Sequence, residues 1–272
     1  MCTYFNHTNT TLSTPFIVSN YLPISICFIS QFEFIRSQLL QSLAKEEIGH
    51  IQRKIANTVA THARLAQWPQ LMDGIILLSS SINVKNHDLC LYLLDQLAEN
   101  IGTILISNLD LVMNIILPLL GENNSIQTRT LAAQALGSVL FEIPMGNVLI
   151  FDSLRNIPHI IKAIMEAQED LLLQDLLSNL FRLTKEKSEL FVNSWELLFL
   201  ILHTLCVDEN LESGSKVLGL EILIALITSK NAFCSTNQSR KDILLLCMKL
   251  MTAVEEDDEA ISSTERPQSE GK

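Results

Sequence analysis

The sequence predicts an all-α fold built as an α-solenoid, with about five stacked helix pairs and one unpaired helix. Three observations carry this reading. Apolar residues recur every three or four positions through successive stretches, the mark of amphipathic helices rather than strands. Of 272 residues, 48% are hydrophobic while only 9 are Gly and 7 are Pro, which leaves room for long uninterrupted helices. The stretches also come in pairs that return at a nearly fixed interval. Residues near the start of each second helix, Arg53, Leu91, Arg129, Leu173 and Lys216, stand 38, 38, 44 and 43 positions apart. That is near the roughly 40 to 47 residues of armadillo-like helical units, and two helices per unit select HEAT repeats. Each pair then buries its stripes against the pairs before and after it.

Residues 1–30 stand apart from this pattern. They are rich in Thr, Ser, Asn and aromatics and hold no Lys, Arg, Asp or Glu. Asn20 and Pro23 interrupt the apolar run that a signal peptide requires, so a poorly ordered leader is expected. The solenoid is expected over 31–254, and an acidic disordered tail over 255–272.

From Glu33 the pattern is regular. FIRSQLLQSLAKEE reads as a helix with Ile35, Leu39, Leu40 and Leu43 inward. In Ile48 to Leu65, Ile51, Ile55, Val59 and Ala63 fall four apart with Ile48, Ala56 and Ala60 beside them, while Arg53, Lys54, Asn57 and Arg64 take the other faces. Trp68-Pro69 is a corner, because proline disfavours helix at the residue before it and suits the first turn of the next. The next pair is Gln70 to Ser81, with Leu71, Ile75 and Leu78 on one side, then Asp88 to Ile106, striped by Leu89, Leu93, Leu97 and Ile101. Leu109 to Leu120 is closed by Gly121, and SIQTRTLAAQALGSVLF follows with Ser125 as its N-cap. Leu154 to Gln168, with Pro158 in its first turn, pairs with Asp170 to Thr184, and Val192 to Val207 pairs with Ser213 to Ser229. A last helix, Lys241 to Val254, has no second member.

Charge and chemistry narrow the function. The net charge is −11, and the tail from Glu255 to Lys272 supplies seven acids against two bases. Phosphate neutralisation needs a basic face and the sequence makes none visible, so nucleic acid is not expected as a partner. Cys2, Cys27, Cys90, Cys206, Cys234 and Cys247 form no CxxC pair and mostly sit in apolar helical patterns, as buried thiols in a reducing compartment do. Leu190 to Val207 is nearly long enough to span a membrane. Asn193, Glu196 and His203 recur through it at helical spacing, however, so a buried first helix is expected and no membrane insertion. Its Trp195 and Phe199 read as core, with an outer pocket between repeats as the other reading. The histidines are scattered, and there is no HExxH, no GxSxG and no Gly-rich phosphate loop, so neither an enzyme nor a cofactor is expected. The run Glu255, Glu256, Asp257, Asp258, Glu259 is either a solvated loop or an acidic surface that offers carboxylates to a basic partner with fast, salt-sensitive capture.

Several segments together carry a family likeness. SQLLQSL, HIQRKIANTVATHAR and QWPQLMDGIILLSSS resemble the amino-terminal HEAT repeats of the importin-β (karyopherin-β) family, in particular its importin beta-3 branch. SIQTRTLAAQAL is similar to the later arginine-bearing helix of that branch, and LCMKLMTAVEEDDE to its apolar helix that runs into an acidic loop. The resemblance covers about Glu33 to Glu259. It implies a nuclear transport receptor working between cytoplasm and nucleus. Such a superhelix binds basic cargo on its inner face, the GTPase Ran mainly through amino-terminal repeats, and phenylalanine-glycine nucleoporins between outer helices. By position it would turn Arg53 and Arg129 toward the concave side. Complete receptors of this kind are several times longer, so the chain reads as an amino-terminal fragment. A HEAT scaffold or regulatory subunit outside nuclear transport is the alternative, since the fold serves many partners.

Overall fold

Helices follow one another in pairs through a computed structural model that describes residues 22–46, 48–65, 68–144, 153–229 and 241–248. The pairs are α1 (Leu22–Lys45) with α2 (Gly49–Leu65), α3 (Gln70–Ser79) with α4 (Val84–Ser107), α5 (Leu109–Leu119) with α6 (Ile126–Glu142), α7 (Ile157–Ala167) with α8 (Asp170–Glu186), and α9 (Trp195–Val207) with α10 (Ser213–Thr228). Residues 241–248 form a further helix, α11. Short 3-10 segments, Ser153–Asn156 and Ser188–Ser194, precede α7 and α9. No strand occurs among the described residues.

Small residues decide which row packs tighter. On α2 the buried face is Ala56, Val59, Ala60 and Ala63, and on α6 it includes Ala132, Ala133, Ala135, Gly137 and Ser138. Side chains this short let neighbouring helix axes approach closely. Contacts are accordingly extensive along α2, α4, α6, α8 and α10 and much sparser between first helices such as α1 and α3. A stack packed more closely along one row curves toward it, which puts the second helices on the inside. At Gly137 the approach leaves no room for a side chain, since an added Cβ would lie 1.9 Å from Asn179 Oδ1.

Helix ends follow the expected chemistry in several places. Ser125 Oγ accepts the Thr128 N–H at 3.1 Å, and Asn83 Oδ1 accepts that of Lys85 at 3.1 Å. Gln168 closes α7 in the left-handed conformation, with φ 57°. Inside α4, Ile101 has φ −147° and ψ 45°, which kinks the helix one residue before the buried Gly102.

Four expectations need correction. The first helix starts at Leu22, ahead of the start at Phe34 that spacing gives, and Pro23 falls in its first turn, where a missing N–H costs nothing. Ile35 is 45% exposed, and Arg36 turns inward instead at 5%, its guanidinium 5.3 Å above the Trp68 ring. This inward cation also donates to Glu33 Oε1 at 3.0 Å, which lets a charge occupy a position that spacing would give to an apolar residue. The helix read from Asp88 begins four residues earlier, at Val84, on the Asn83 cap. The one read from Val192 begins at Trp195, after a 3-10 segment. Trp68 itself is buried at 4%, as a corner residue should be. Leu198, Ile201, Leu202, Leu205 and Cys206 of α9 are buried within the protein.

Candidate functional site

The inner row carries a chain of polar links spaced like the repeat itself. Tyr92 donates its hydroxyl proton to Asn57 Oδ1 at 3.0 Å, joining α4 to α2. Thr128 Oγ1 donates to Asp88 Oδ1 at 2.6 Å, and Ser138 Oγ donates to Asp95 Oδ1 at 2.7 Å, joining α6 to α4. Ser138 in turn accepts from Asn179 Nδ2 at 2.9 Å and from Arg182 Nη2 at 3.2 Å, and Arg182 Nη1 reaches Glu99 at 3.1 Å. The Arg182 guanidinium also lies 4.9 Å from the Phe141 ring centroid. Ser215 Oγ donates to Asp170 Oδ1 at 3.2 Å and Gln174 Nε2 to Glu212 at 3.0 Å, joining α10 to α8. Just beyond α8, Lys187 Nζ donates to the carbonyls of Leu140, Phe141 and Ile143. It thereby satisfies acceptors at the end of α6. Burial raises the pKa of the Asp95 carboxyl, opposed by the Ser138 bond.

The residues singled out by sequence fare differently. Arg53 is exposed, with its guanidinium 5.7 Å from the Tyr92 ring centroid. It lines a groove of about 220 Å³ with Lys85, Asp88, Gln127 and Leu131. Arg129 does not join it. At 100° per residue it lies well round α6 from both Gln127 and Leu131, and it is only 8% exposed, with Nε enclosed and without an acceptor. The acidic run Glu255, Glu256, Asp257, Asp258 and Glu259 lies outside the described residues. Sequence reasoning passed over Asp95, Ser138 and Asn179. The signal was present: polar residues inside apolar helices that recur 43 and 41 positions apart, close to the repeat length.

Between α8 and α10 the inner row opens into a groove of about 680 Å³, lined by Glu186, Glu189 and Glu221 over Phe181 and Ile224. Its cation Lys185 sits 4.1 Å from the Phe181 ring centroid. The outer row has apolar grooves. One of about 650 Å³ between α1 and α3 is lined by Leu40, Leu77, Leu78 and Trp68. Another, of about 450 Å³ between α9 and α11, is lined by Phe199, Leu200, His203 and Leu245. Trp195, Phe199 and His203 follow one another along α9, with ring centroids 5.3 and 6.2 Å apart, and each is half-buried. They are thus both core and groove wall.

A family model described as IPO5-like, TPR repeats matches residues 44–200, more than half of the chain. The chain belongs to this IPO5-like branch of the importin-β family. Among solved structures, Kap121p bound to RanGTP is similar to the IPO5-like chain with a TM-score of 0.70 and 18% identity, over 88% of this chain and 23% of that one. Kap121p bound to Nup53p and Kap121p bound to Pho4p each give 0.71 and 18%, over 89% and 24%. At that identity the likeness establishes the karyopherin fold. The IPO5-like chain spans about a quarter of the length of those structures. No curated protein sequence matches it.

Proposed function

We propose that the chain is a non-catalytic binding module of nuclear protein import, working between cytoplasm and nucleus through Ran, nucleoporins and basic cargo. The observation that carries this is the family match over 44–200, which spans most of the curved inner row. Two grooves give the reading chemical content. Glu186, Glu189 and Glu221 around an apolar floor suit a Lys/Arg-bearing segment, whose methylene stems pack on Phe181 and Ile224 while its charges meet carboxylates. The apolar groove between α1 and α3 suits an inserted phenylalanine ring.

The test is a pull-down of purified chain against Ran loaded with GTP or with GDP. A transport receptor retains the GTP form selectively. Equal retention of both forms, or of neither, supports the alternative of a HEAT scaffold outside nuclear transport.

A further inference from the structure

A basic ridge on an acidic protein asks for an anionic partner. Helix α2 carries Arg53, Lys54 and Arg64 and no Asp or Glu in its 17 residues, in a chain of net charge −11. All three cations are exposed, as is Lys85 across the groove on α4. None of the four takes part in an ion pair among the described residues, whereas Arg36, Lys162 and Arg182 are each matched to a glutamate. Asp88, the one carboxylate lining the groove, has its Oδ1 occupied by the Thr128 hydroxyl at 2.6 Å. The Tyr92 ring supports Arg53 from beneath and is itself fixed by its bond to Asn57.

We infer that this α2 face, with its groove against α4, docks an extended acidic segment of a partner protein. Charge complementarity carries the assignment, and dimensions agree with it. Arg53 and Arg64 lie about 16 Å apart along the helix, a span covered by about five residues of extended chain. Nucleic acid fits less well, because so few cations match few phosphates and the rest of the chain repels them.

The inference does not depend on the transport reading, and the Ran pull-down can succeed or fail separately from it. The experiment measures fluorescence anisotropy of a labelled penta-glutamate peptide titrated with the full chain at low and high salt. Saturable binding that weakens with salt is expected, reduced about tenfold in Arg53→Glu/Arg64→Glu, which is a change of about 1.4 kcal/mol. Arg53→Gln/Arg64→Gln should give an intermediate loss, with circular dichroism to verify that both variants stay folded. Lys162→Glu, at an exposed position of α7 away from the ridge, should leave binding unchanged. Absence of binding, an equal loss in Lys162→Glu, tighter binding to a single-stranded oligonucleotide of the same charge, or occupation of the ridge by a second copy in sedimentation would each overturn it.

Discussion

Helices α2, α4, α6, α8 and α10 touch along much of their length and exchange side-chain hydrogen bonds from one to the next, whereas α1 and α3, or α9 and α11, leave apolar grooves between them. The same repeat therefore makes two different surfaces. On the inside, small residues and polar links fix the spacing between helices; on the outside, larger side chains hold the helices apart and expose Leu77 and Leu200 at 74% and 61%. Stability concentrates where shape is set, and apolar surface stays open where a ligand ring can insert.

The largest expected effect comes from the corner that joins the two rows. Trp68→Ala removes a buried indole and leaves Arg36 without the ring beneath it, so a loss of about 3 to 5 kcal/mol is expected in denaturant titration. An unchanged midpoint would mean that the corner does not hold the rows together.

Ser138→Ala comes next. It strips one hydroxyl from Asp95, Asn179 and Arg182 together, and should cost about 1 to 3 kcal/mol. A double-mutant cycle with Asn179→Ala should return a non-additive remainder. Simple additivity would show that the inner links act as separate pairs.

A smaller effect is expected in the pH dependence. Burial raises the Asp95 pKa in the folded chain, so the fold binds that proton more tightly than the unfolded chain does. Stability from this group is complete at pH below its unfolded value and declines as pH rises from the ordinary carboxylate range through the folded pKa. Asp95→Asn should flatten this part of the melting temperature against pH, and an unaltered slope would place the proton elsewhere.

Smallest of all should be Leu77→Gln, at an exposed position of the outer groove. Stability should stay within about 0.5 kcal/mol, while binding of a phenylalanine-glycine peptide, followed by calorimetry, should weaken. A large loss of stability would mean that the outer row is as tightly built as the inner one.

Much of this arrangement is readable in the sequence, and the exceptions share a cause. Paired helices, the Trp68 corner and the Ser125 cap follow from local spacing, and local spacing survives folding. Placements that depend on a partner from another repeat do not. Ile35 and Arg36 exchange roles because Trp68, more than thirty residues on, stacks beneath the guanidinium. Arg129 is enclosed despite its charge, which a single helix cannot reveal. The longer intervals of 44 and 43 residues have a local counterpart in the 3-10 segments Ser153–Asn156 and Ser188–Ser194, which lengthen the connections into α7 and α9.

Lys187 gives the stack uneven mechanics. Its ammonium is bonded at once to three carbonyls at the end of α6, so hinging α8 away from α6 must break those contacts together with the two that Ser138 accepts. Across the seam between α2 and α4 the described residues form one side-chain hydrogen bond, from Tyr92 to Asn57, beside the Arg53 guanidinium over the Tyr92 ring. Opening the α6–α8 seam is therefore expected to break more polar links than opening the α2–α4 seam, which is held mainly by packing of its small residues.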